Sequence, residues 1–178
     1  GTGKLTELFL KNGNTVFGVE PNQGMRASAE RLLQAYSTFR SVDGTAEQTS
    51  LANSSIDLIT AGQAFHWFNP SLARVEATRI LRPDGWAVLI WNERKLQSTP
   101  FLEAIEALLL KYGTDYKDVR HENASEAITK FFSPAEAKLK IFPNKQVLDF
   151  DGLKGRVQSS SYTPEPAHPD FPAMIHQL

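Results

Sequence analysis

From Gly1 to about Asn92, short apolar runs alternate with segments whose apolar positions recur every three to four residues. Thr15–Glu20, Phe39–Val42, Ile56–Ala61 and Trp86–Trp91 read as buried strands, because a parallel strand covered on both faces loses its polar alternation. Between them three sets stand at helical spacing: Leu5, Leu8 and Phe9; then Met25, Ala29, Leu32, Leu33 and Tyr36; then Ala73, Ala77, Ile80 and Leu81. The punctuation agrees. Asn12-Gly13 closes the first helix, and Asn22 and Asn69-Pro70 open the next two. Arg82-Pro83-Asp84-Gly85 is a turn with proline at its second position. Strands and helices alternating in this way predict an α/β fold, Rossmann-like and doubly wound, with a mostly parallel sheet. Such a fold sets a strand before its first loop, whereas this sequence opens on the loop, and its final helical pattern stops early. The expectation is a chain trimmed at both ends, its first strand and last strands lying outside the sequence.

From Thr99 the pattern changes. Phe101, Leu102, Ile105, Leu108, Leu109 and Tyr112 predict an amphipathic helix stopped by Gly113. Asn123–Phe132 predicts a second, with Asn123 and Glu126 at capping-box spacing. Lys138–Phe142 and Gln146–Phe150 read as a hairpin around Pro143-Asn144-Lys145. A short helix around Leu153 and Val157 and another from Phe171 follow. Residues 1–98 are therefore expected to form the α/β core, and residues 99–178 a helical-plus-hairpin cap over the substrate, leading back to the core.

Composition narrows the function. The chain has 178 residues, 41% hydrophobic and 22% charged, which suits one globular domain or one with a small appendage. A net charge of −1 without a basic run gives nucleic-acid binding no electrostatic support. The absence of cysteine excludes disulfides, thiolate metal sites and a cysteine nucleophile, and suits a reducing cytoplasm. No apolar run approaches membrane-spanning length and no signal peptide is visible. The expected partner is a small molecule, with no metal.

Gly1-Thr2-Gly3-Lys4-Leu5-Thr6 is the stretch that carries chemistry. Two glycines let the backbone turn tightly and approach a ligand, and the helix behind them aims unpaired N–H groups at it. Glu20, at the tip of the next strand, stands where an acid can accept hydrogen bonds from ribose hydroxyls. A phosphate loop wants Ser or Thr directly after Lys4, and Leu5 stands there. A dinucleotide loop wants a small residue where Thr6 stands. An adenosyl loop without phosphate tolerates both.

Together with Glu20-Pro21-Asn22-Gln23-Gly24-Met25, Gly44-Thr45-Ala46-Glu47 and Leu81-Arg82-Pro83-Asp84-Gly85, this loop resembles the class I S-adenosylmethionine-dependent methyltransferases, small-molecule group. Gln63-Ala64-Phe65-His66-Trp67-Phe68 further resembles the trans-aconitate methyltransferase-like subgroup. The resemblance implies that Gly1 and Gly3 lie against the methionine part of S-adenosylmethionine and that Glu20 holds the ribose. It implies that Met25 packs on the adenine, that Thr45 and Ala46 border it, and that Gln63 approaches the methionine end. Thr45 stands where the family often has an acid, so that contact would be uncharged. Phe65 and Trp67 are expected to wall the substrate pocket.

His66 lies where a transferable methyl would emerge and is the candidate general base. The alternative, that it only shapes the pocket, is favoured, because an activated sulfonium donor and an anionic acceptor need mainly alignment and dryness. His121, His168 and His176 read as surface, and Trp86 and Trp91 as strand packing. The expected activity is methyl transfer to a small acceptor, a carboxylate or other oxygen nucleophile. A nicotinamide oxidoreductase and a non-catalytic cofactor-binding module are the alternatives.

Overall fold

Strands form where the apolar runs stand, and helices where apolar residues recur at helical spacing. The computed structural model describes residues 1–96, 98–116 and 125–178. These fall into two units, Gly1–Trp91 with Lys130–Ala135, and Asn92–Thr129 with Glu136–Leu178.

The first unit runs α1 (Lys4–Lys11), β1 (Val16–Val19), α2 (Gln23–Leu33), β2 (Phe39–Val42), β3 (Ile56–Gly62), a 3-10 turn (Phe65–Trp67), α3 (Pro70–Ile80) and β4 (Leu81–Ile90). Every described strand pair is parallel. β1 pairs with β2 from Val16↔Phe39 to Val19↔Val42, and β3 with β4 from Leu58↔Trp86 to Gly62↔Ile90. The caps form as expected. Asn22 Oδ1 accepts from the Met25 N–H at 3.0 Å, and Asn69 Oδ1 from that of Leu72 at 3.2 Å. Gly13 takes the left-handed conformation that ends α1.

β4 departs from expectation by beginning at Leu81 rather than Trp86. The Arg82–Gly85 turn is kept as a bulge inside the strand: Asp84 has φ 65°, and the register shifts between Ile56 and Leu58. Trp86 was expected to pack but is 67% exposed. Side chains alternate across a strand, so the half-buried Ala87 and Leu89 face one way while Trp86 and Val88 share the open face. The buried core of this unit includes Leu10, Ala29, Leu33, Ala61, Ala73, Ala77 and Ile80.

The second unit is helical, with α4 (Pro100–Tyr112), α6 (Phe150–Gln158) and α7 (Phe171–Gln177); α5 (Ser125–Phe132) ends in the residues that belong to the first. Thr99 caps α4 as its side chain accepts from the Leu102 N–H at 3.2 Å, and Gly113 stops it. Leu108, Val157 and Met174 form one buried cluster, and Ile105, Leu109 and Tyr116 another. Asn123 and His121 lie outside the described residues. His168 and His176 are exposed.

The expected hairpin at Lys138–Phe142 and Gln146–Phe150 is not formed. No strand occurs between 136 and 149, Leu139, Ile141 and Val147 are each 83% exposed, and Phe150 opens α6 instead. An isolated two-stranded ribbon is marginal in water, and these apolar side chains find no surface to cover. Asp149 commits the chain to a helix by accepting the Gly152 N–H at 2.8 Å. Among the described residues no helix is long and apolar enough to cross a membrane, and no group of three or more His, Asp or Glu is placed to hold a metal ion.

Candidate active site

The candidate residues lie in the first unit: Glu20, Thr45 and Gln63 just beyond strands, Gly1 and Gly3 before α1, and Met25 on α2. Gly3 precedes α1 with φ 86°, and a Cβ there would stand 2.7 Å from Leu33 Cδ1. Backbone conformation and packing against α2 both demand glycine at this position. Gly1 differs, since nothing lies within 4 Å of where its Cβ would stand.

Glu20 leaves β1 with its backbone N–H donating to Val42 O at 3.1 Å. Its carboxylate Oε1 accepts from the Asn22 N–H at 2.8 Å, and Oε2 lies against Gly1. The structure therefore brings the first loop glycine and the acid together.

The loop of residues 44–49 follows β2. Thr45 and Gln48 exchange backbone hydrogen bonds at 3.1 and 3.2 Å. A Cβ on Gly44 would stand 2.8 Å from Gln48 O, so the tight return requires glycine. Thr45 is exposed and Ala46 half-buried. Met25 is 48% exposed on α2, with its backbone N–H engaged by the Asn22 cap.

Three residues hold this loop, and sequence reading gave none of them a role. Arg26 donates from Nη1 to Glu20 O at 2.8 Å and from Nη2 to Asp43 Oδ2 at 3.0 Å, tying the turn after β1 to the start of the loop. Glu76, buried on α3, accepts from the Thr49 N–H at 2.8 Å and from the Thr49 hydroxyl at 2.5 Å. Glu47 Oε1 accepts from the Asn69 N–H at 2.8 Å. Partial burial pushes the Glu47 carboxyl up, but the Asn69 N–H and the Thr45 hydroxyl outweigh it and hold it below the usual carboxylate range. A signal for Arg26 was present: a cation in the first turn of a helix opposes the helix dipole and needs another reason to be there.

β3 ends against α1, since a Cβ on Gly62 would stand 2.9 Å from Leu5 Cδ2. Gln63 then turns the chain out of the sheet with φ 51°, its N–H still donating to Ile90 O at 2.9 Å. The aromatic segment splits by role. Phe65 is 2% exposed and meets Phe68, Trp91 and Phe131 edge-on, with centroids 5.6, 6.1 and 5.4 Å away. It stands behind the wall rather than in it, because three rings enclose it. His66 and the 68%-exposed Trp67 form the outer surface, their rings 4.9 Å apart.

The Glu20 carboxylate just past β1 and the uncharged Thr45 hydroxyl fit an adenosyl cofactor.

Known proteins agree. The family described as the methyltransferase domain matches residues 1–89, which hold all of these strand ends. The chain is similar to an uncharacterized methyltransferase of Mycobacterium tuberculosis, 38% identical over 94 residues, 53% of this chain and 37% of that protein. It is also similar to one of Schizosaccharomyces pombe, 35% identical over 115 residues, 62% of this chain and 43% of that one. It thus spans less than half the length of these curated relatives. Among solved structures, a candidate methyltransferase from an antibiotic biosynthesis pathway of Anabaena variabilis has the same fold at TM-score 0.57 and 23% identity, over 74% of this chain and 51% of that chain. The chain belongs to the methyltransferase-domain family of class I S-adenosylmethionine-dependent methyltransferases.

Proposed function

We propose that the protein transfers the methyl group of S-adenosylmethionine to a small, mostly apolar acceptor through an oxygen nucleophile such as a carboxylate, and that it does so in the cytoplasm. The observation that carries this reading is the methyltransferase-domain match over residues 1–89, within which Glu20 stands just past β1 beside a loop that Arg26 ties to the same turn. In it, Gly1 and Gly3 give the cofactor close backbone approach, Glu20 accepts from its ribose, and Thr45, Ala46 and Met25 border its base. Gln63 stands toward the methionine end. When bound, the cofactor supplies a methyl group already activated by a sulfonium. The protein's part is then to orient the acceptor and exclude water. Trp67 offers the acceptor an apolar face, as small-molecule sites generally do. Isothermal calorimetry should show binding of S-adenosylmethionine and none of NAD. A screen of acids, phenols and amines should then release S-adenosylhomocysteine on an acid. Binding of NAD alone would replace this reading with an oxidoreductase, and cofactor binding without turnover on any acceptor would leave a binding module.

The same reading gives His66 the role of pocket surface. With an acceptor in hand, His66→Gln should act mainly on KM, and the rate should follow the acceptor's own ionisation. A fall in kcat of about 100-fold or more, the usual scale for losing a general base, with substrate affinity unchanged would make His66 the base.

A further inference from the structure

The Glu47 side chain joins the Thr45 loop to the segment that carries His66 and Trp67. Glu47 belongs to the loop: its N–H donates to Thr45 Oγ1 at 3.3 Å, inside the turn that Thr45 and Gln48 close. Its carboxylate leaves the loop and accepts the Asn69 N–H at 2.8 Å. Asn69 is the cap of α3 and follows Phe68 directly, so it terminates the segment that carries His66 and Trp67. The other anchor of the loop, Thr49 on Glu76, reaches the middle of α3 instead and leaves the wall segment untouched.

We propose that Glu47 is a positioning residue that couples the two halves of the site, so that ordering of the Thr45 loop by cofactor orders the His66–Trp67 wall. The proposal rests on the methyltransferase reading above. Its physical basis is linkage: when two segments share a bond that forms best with both ordered, ligands that order either one favour the other reciprocally. Glu47 touches neither cofactor nor acceptor. Its effect is carried by the peptide N–H of Asn69, for which a neutral amide oxygen can substitute in kind.

Amide hydrogen exchange on the full chain tests this, with S-adenosylmethionine as the only probe. In the parent protein, saturating cofactor should slow exchange across residues 64–69 about fivefold or more, the low end of ordinary coupling. Glu47→Ala, measured at cofactor concentrations that saturate it, should lose that protection at 64–69, since local openings respond to the contacts that close them. Glu47→Gln should restore most of it. Protection at 64–69 that persists in a cofactor-bound Glu47→Ala overturns the proposal. So does a parent protein that binds the cofactor with no change at 64–69, a result that needs no variant to fold. A parent protein that gives no calorimetric signal with S-adenosylmethionine removes the methyltransferase reading itself, which sets that failure apart.

Discussion

Glu20→Ala is expected to weaken S-adenosylmethionine binding at least tenfold. A carboxylate accepting two ribose hydroxyls makes charge-assisted bonds, each contributing about 1.5–3 kcal/mol, and a tenfold loss is only ~1.4 kcal/mol. The expected loss therefore leaves room for water to replace part of the contact. The geometry favours a large effect. Only 18% of the Glu20 side chain is exposed, and the Asn22 N–H on Oε1 fixes the orientation of the carboxylate. Alanine also frees that N–H, so the variant's melting temperature must be measured beside its affinity. Glu20→Gln separates the effects, since it keeps an acceptor for Asn22 and loses the charge. Calorimetry of the three proteins decides the matter, and an unchanged Kd in a folded Glu20→Ala would remove the ribose assignment.

The largest stability loss is expected at Glu76. Its side chain is 9% exposed and receives four hydrogen bonds, from the Thr49 N–H and hydroxyl and from Arg79 Nε and Nη2 at 2.8 and 2.7 Å. Glu76→Ala leaves both Thr49 groups without an acceptor, and Thr49 is only 6% exposed. Removing one partner of a buried pair costs about 3–5 kcal/mol, and the partly exposed Arg79 can turn to water, so ~2–4 kcal/mol is expected. Urea unfolding measures it. The pH dependence has a definite sign. The Arg79 hydrogen bonds, against the opposing effect of burial and with help from Thr49, hold the Glu76 carboxyl at about 2, below its ordinary 4.5. The folded state thus favours the ionised form. The stabilisation is complete above about pH 4.5 and is lost as the pH falls from there toward 2. Stability measured across that window should fall less steeply in Glu76→Gln than in the parent, and parallel curves would contradict the assignment.

These residues mark where sequence reading stops. Features set by near neighbours were legible. The Asn22, Asn69 and Thr99 caps each accept a backbone N–H three residues on, and β2 occupies the expected Phe39–Val42. Features set by distant partners were not. Arg26 reaches Asp43, and Glu76 reaches Thr49 from a helix whose polar side looks solvated in isolation. Glu76 did carry a hint, since it shares the buried stripe of Ala73, Ala77 and Ile80, where an acid must find a partner. The hairpin failed for the converse reason: alternation at Leu139 and Ile141 describes a strand's faces but supplies no neighbour to pair with.

Gln63 imposes a limit on how this site can diversify. A side chain at φ 51° costs about 1–2 kcal/mol relative to the right-handed form, and the cost falls hardest on β-branched residues. The substitutions free of that penalty are glycine, and to a lesser degree asparagine and aspartate. Gln63 already bears that cost, so glycine would relieve it and β-branched residues would add to it, whereas most other side chains would leave it unchanged. His66 and Trp67, outside the left-handed region and already on the surface, are the positions where chemistry can be exchanged without disturbing how the chain leaves the sheet.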